Sequence, residues 1–81
     1  MRIPRDVSGS DLVGLLAQFG YVQTRQRGSH VRLSRKDEAG THHITIPLND
    51  PLRIGTLNSI LTDIARHIEL DKQDLIERLF S

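Results

Sequence analysis

Arg25-Gln26-Arg27-Gly28-Ser29-His30, running on into Val31-Arg32-Leu33-Ser34, is the stretch that decides the fold. Gly28 can supply the positive φ of a tight turn. Beyond it, Val31 and Leu33 alternate with His30, Arg32 and Ser34. That pattern is a turn feeding a strand with aliphatic groups on one face and polar groups on the other. Tyr21 to Gln26 reads as the strand before the turn. His30 lies two residues after the glycine, directly after the turn, among guanidinium groups. A histidine there can exchange protons near neutral pH, and arginines beside it suit a phosphate-bearing substrate.

Working outward, Ser8 is placed to cap a helix, with Asp11 three positions on and Val7 and Leu12 as a hydrophobic staple. Leu12, Leu15, Leu16 and Phe19 recur at the spacing of one buried helical face, and Gly20 ends it. After the second strand, Arg35 to Thr41 reads as a charged loop with Gly40 as its flexible point. Ile44 and Ile46 alternate with His43 and Thr45 in a third strand that Pro47 closes. Asn49 to Gly55 is expected to be a loop. Leu57, Ile60, Leu61 and Ile64 follow with helical spacing. Asp71 then caps a short amphipathic helix carrying Leu75, Ile76, Leu79 and Phe80, with Leu70 and Leu75 as a second staple.

The expected fold is α+β: helix, three antiparallel strands, helix, and a short extra C-terminal helix, in one domain over residues 1–81. Helices on one face of the sheet leave the other open, and His30, Arg32, His43 and Thr45 would point from that open face.

Composition narrows the function. A chain of 81 residues buries only about 60–65 % of the surface its unfolded form exposes, so an open site is expected rather than a deep pocket. The net charge is only +1, but Tyr21 to Lys36 holds Arg25, Arg27, Arg32, Arg35 and Lys36 and no carboxylate. With no cysteine, disulfides and thiolate metal sites are excluded. The start, Met1-Arg2-Ile3-Pro4-Arg5-Asp6, has no apolar leader and no long apolar run follows, so a soluble cytoplasmic protein is expected.

RNA cleavage by the 2′-hydroxyl needs a base for that proton, an acid for the leaving 5′-oxygen, and positive charge for the non-bridging oxygens. His30 can fill one proton-transfer role, worth roughly 10²–10⁴-fold, and Arg25, Arg27 and Arg32 the electrostatic one. A second proton carrier is not evident, although His43 could face the same side. The plainer readings are that a turn histidine is a solvated polar residue and a basic run a solvated face. His42 and His43 point to opposite sides of a strand and cannot share an ion. With no other ligand cluster, no metal or cofactor is expected. His67, near the end of the second helix, is expected to interact with that helix's C-terminal dipole. Gly55-Thr56 is a helix start. Glu69, Asp71, Asp74 and Glu77 bias the last segment negative, offset by Lys72 and Arg78.

From about Ser8 to about His67 the sequence resembles the HicA family, small mRNA interferase toxins of type II toxin–antitoxin pairs with a double-stranded-RNA-binding-domain-like fold. The resemblance is carried by Gly20-Tyr21, Arg25-Gln26-Arg27-Gly28-Ser29-His30, Ile44-Thr45-Ile46-Pro47 and Gly55-Thr56-Leu57-Asn58-Ser59-Ile60-Leu61 in order. It implies that His30 is the catalytic histidine, presented by Gly28 and Ser29. It implies ribosome-independent mRNA cleavage that inhibits translation, and a HicB-type antitoxin that masks the active face. Many relatives carry a histidine shortly after the third-strand proline, where this chain has Asn49 and Asp50. The helix from Asp71 onward is longer than the minimal family pattern, and its apolar residues are expected to complete the core. Two other functions are compatible with the same face: a non-catalytic RNA-binding module, and a degenerate toxin that acts only by binding its antitoxin.

Overall fold

The structure, a computed structural model, describes residues 3–81. Met1 and Arg2, the start of the segment read as lacking an apolar leader, lie outside the described residues. The chain runs α1 (Gly9–Leu16), a 3₁₀ turn (Ala17–Phe19), β1 (Val22–Arg27), β2 (His30–Asp37), β3 (Gly40–Pro47), α2 (Ile54–Ile68) and α3 (Lys72–Phe80). The strands form an antiparallel sheet in the order β1-β2-β3. This is the expected α+β order with its extra helix.

Local chemistry accounts for the boundaries. The Ser8 hydroxyl accepts the Asp11 amide at 2.9 Å, and the Asp11 carboxylate accepts the Ser8 amide at 3.2 Å, a complete capping box. Helix α1 then tightens into the 3₁₀ turn and stops at Gly20, whose φ of 88° is left-handed. Asp71 caps α3 by accepting the amides of Gln73 and Asp74.

Two boundaries differ from the sequence reading. The segment 35–41 is mostly strand rather than a charged loop. Asp37 pairs with Gly40, leaving Glu38 and Ala39 as the whole connection, with Gly40 at φ 130°. Helix α2 begins at Ile54, inside the stretch read as a loop.

The core gathers Leu12 and Leu16 of α1, Val31 and Leu33 of β2, Ile44 and Ile46 of β3, and Leu57, Leu61 and Ile64 of α2. Leu75, Ile76 and Leu79 of α3 join it, so the C-terminal helix completes the core. Strand β1 contributes nothing: all six of its residues are exposed. The helices therefore cover the β2–β3 part of the sheet, and β1 stands beyond them, open on both faces.

Candidate functional site

β2 is the spine of the site. Side chains alternate along a strand, so His30, Arg32, Ser34 and Lys36 share the face away from the helices. Val31 and Leu33 point into the core and Arg35 turns the same way. The register brings Thr45 beside Arg32, His43 beside Ser34 and Thr41 beside Lys36. On the other side, Arg27 lies opposite His30 and Arg25 opposite Arg32.

Arg25, Arg27, His30, Arg32 and Thr45 together line a shallow concavity of about 220 Å³, with no acidic side chain among them. Arg25 facing Arg32 is a like-charge pair, an arrangement that weakens a sheet unless an anion neutralises it. The concavity therefore has the electrostatics of an anion site.

The turn that presents His30 is fixed at both ends. Gly28 sits at φ 57°, and a Cβ built there meets nothing, so the requirement for glycine is conformational alone. The Ser29 carbonyl accepts the Leu48 amide at 2.7 Å, tying the turn to the exit of β3. Asn49 and Asp50, which leave β3 beside this turn, are exposed.

His43 shares the open face, as expected, and its Nδ1 lies 2.7 Å from Ser34 Oγ. Ser34 is opposite His43, four residues along β2 from His30. At strand rise, that separates the two histidine positions by about 13 Å, too far for both rings to act on one phosphate.

Arg35 belongs to the basic run in sequence but not in space. Its Nε donates to the Phe19 carbonyl at 2.8 Å, and its guanidinium pairs with Asp37 at 2.7 Å. That hydrogen bond, with the Ala39 amide second, holds the Asp37 carboxyl below the usual carboxylate range.

On the helix side lies a polar cluster that sequence reasoning missed. The Asp63 carboxylate only accepts, so His42 Nε2 donates to it at 3.2 Å, and His42 Nδ1 accepts the Tyr21 hydroxyl at 2.7 Å. His67 lies in the last turn of α2, as read. It stacks on His42, however, with centroids 4.1 Å apart, and approaches Asp37 at 3.7 Å. Tyr21 is almost wholly buried, and burial is the largest cause of its pKa rising to about 12. The cluster clamps α2 to β3 and to the residue before β1. His42 and His43 thus do face opposite sides. Among the described residues, no group of three or more histidine, cysteine, aspartate or glutamate side chains is placed to hold a metal ion. No described helix is long and apolar enough to cross a membrane.

Residues 9–65, more than two-thirds of the chain, match the family model described as "HicA toxin of bacterial toxin-antitoxin". No curated protein and no solved structure matches. The chain belongs to the HicA toxin family. It is thereby a toxin of a toxin–antitoxin system and has an antitoxin as its partner.

Proposed function

We propose that this HicA-family toxin is a cytoplasmic endoribonuclease that cleaves mRNA by metal-independent histidine acid–base chemistry and so stops translation. One observation carries the reading: His30 is exposed at the mouth of the β1–β2 hairpin, in a concavity whose other charged groups are Arg25, Arg27 and Arg32. In the reaction the 2′-oxygen bonds to phosphorus as the bond to the 5′-oxygen breaks, leaving a 2′,3′-cyclic phosphate and a 5′-hydroxyl. His30 carries one of the two protons, from the 2′-hydroxyl or to the leaving oxygen, and water carries the other. The three guanidiniums stabilise the charge that builds on the non-bridging oxygens. Gly28 and Ser29 act through the backbone by fixing where the imidazole emerges.

The concavity is shallow and has no enclosed base pocket, which favours single-stranded RNA and loose sequence preference. A HicB-type antitoxin then neutralises the toxin by covering this same face.

The test of the chemistry is a single 2′-deoxy substitution at the scissile nucleotide of a short RNA. The reading expects cleavage there to vanish while binding weakens only slightly. Undiminished cleavage at the deoxy position would rule out attack by the 2′-hydroxyl.

A further inference from the structure

The largest hollow on the open face adjoins the His30 concavity. It has a volume of about 550 Å³, and Thr24, Arg25, Arg32, Ser34, Lys36 and His43 are among the residues around it. At its floor is Ser34, the one buried polar residue among those described, 8 % exposed. A serine on a face that no helix covers is normally wet. Here β1 bulges between Gln23 and Arg25, bringing Thr24 Oγ1 to 3.1 Å from Ser34 Oγ, and His43 Nδ1 approaches from β3 to 2.7 Å.

The long contact at the end of this chain of hydrogen bonds favours one direction for it. Thr24 donates to the Arg32 carbonyl at 3.4 Å, an oxygen that only accepts. Thr24 Oγ1 is then left to accept from the Ser34 hydroxyl, and Ser34 Oγ to accept from His43. On this network the proton of a neutral His43 is assigned to Nδ1, leaving the lone pair on Nε2. Among the described residues nothing pairs with Nε2, and the residue is exposed. A second proton on the ring would leave the network intact, because Nδ1–H donates in both states. With the ring neutral, Nε2 is a hydrogen-bond acceptor held in one orientation, with Arg25, Arg32 and Lys36 around it.

We infer that this hollow is a subsite for a nucleotide flanking the cleaved one. His43 Nε2 accepts a hydrogen bond from that nucleotide, and Arg25, Arg32 and Lys36 hold its phosphates. The inference rests on RNA being the substrate, as proposed above. His43 is a positioning residue, not a second proton carrier, because about 13 Å of strand separates it from His30. Arg25 and Arg32 line both hollows, so one pair of guanidiniums bridges successive phosphates. The donor that meets Nε2 is either a ribose 2′-hydroxyl or an exocyclic base amine.

Binding of a short fluorescent RNA by His30→Ala protein, compared with the same protein also carrying His43→Ala, His43→Gln or Ser34→Ala, is the test. Cleavage by wild type is followed in parallel, and thermal melts verify folding. His43→Ala should weaken binding about tenfold, the value of one hydrogen bond to a positioned group, and Ser34→Ala by less. His43→Gln, which keeps an acceptor, should restore most of the affinity. A 2′-deoxy sugar or a base lacking its amine at the flanking position should cost the same factor only when His43 is present, and whichever does so identifies the donor. Unchanged binding on losing His43, with wild type still cleaving, would overturn the subsite alone. Absence of both binding and cleavage in wild type would overturn the subsite and the RNA reading together.

Discussion

The residues to which we assign the chemistry lie in one hairpin, and most of their placement was legible in the sequence. Strand alternation from Val31 to Ser34 put His30 and Arg32 on one face, and the register adds Arg25 and Arg27 opposite them. Arg35 shows where charge counting stops being informative. It sits in the same basic run, yet strand parity turns it toward the helices, where it binds Phe19 and Asp37. The Tyr21–His42–Asp63 chain and the stacking of His67 were not legible, because they join residues far apart in sequence through no repeating pattern. That chain makes a pH prediction. Burial holds Tyr21 neutral, with a pKa of about 12 against about 10 for a free phenol. A group raised in this way contributes its full stability below pH 10 and loses it as pH climbs through 10 toward 12. Alkaline unfolding should therefore begin near pH 10, and tyrosinate absorbance should rise with it. The readout is clean because Tyr21 is the only tyrosine and tryptophan is absent. Tyrosinate appearing at ordinary pH in protein that stays folded would contradict the buried placement.

At the scale of elements, caps and periodicity located all three helices, and errors were confined to places where side-chain pattern is silent. The 35–41 hairpin looked like a loop because its residues are charged, while backbone pairing alone makes it strand. β1 shows no apolar alternation over Val22–Arg27, and the structure gives the reason: neither face is covered. The contact between α1 and β3 is set by Gly9, which the sequence did not single out. Its amide donates to the Asn49 carbonyl at 2.9 Å, and a Cβ there would lie 2.0 Å from the Pro47 carbonyl oxygen. Gly9→Ala must push the helix off the strand, at a cost of about 2–3 kcal/mol, lowering Tm by roughly 10–20 °C. Gly14 sits on the exposed side of the same helix with nothing near its missing Cβ. Gly14→Ala should instead raise stability by about 0.5–1 kcal/mol. Equal melting temperatures for the two variants would mean that α1 does not seat on β3 as described.

The whole molecule separates its two tasks by side. Helices and C-terminal segment bury the apolar residues against one face of the sheet, and the opposite face carries Arg25, Arg27, Arg32, Lys36 and two of the four histidines. A net charge of +1 conceals this division, because α3 and its approach carry much of the compensating acid far along the chain. The open face is thus positively charged and attracts a polyanion, and the proposed function has the antitoxin cover that face. Family membership supplies the toxin and its partner, and the proposed function makes the open face the place where RNA and antitoxin would compete. The open face itself followed from alternation and needed no relative, whereas its second hollow depends on the bulge at Thr24, which has no sequence pattern.

The most direct test of the central claim is incubation of wild-type and His30→Ala protein with end-labelled mRNA in EDTA, resolved on a sequencing gel. The account predicts cleavage by wild type and a loss of at least about 10²-fold in His30→Ala, with both proteins melting alike, since an exposed turn residue adds little to stability. Equal cleavage by the two proteins would show that the proton carrier lies elsewhere and that the His30 concavity is not the active site.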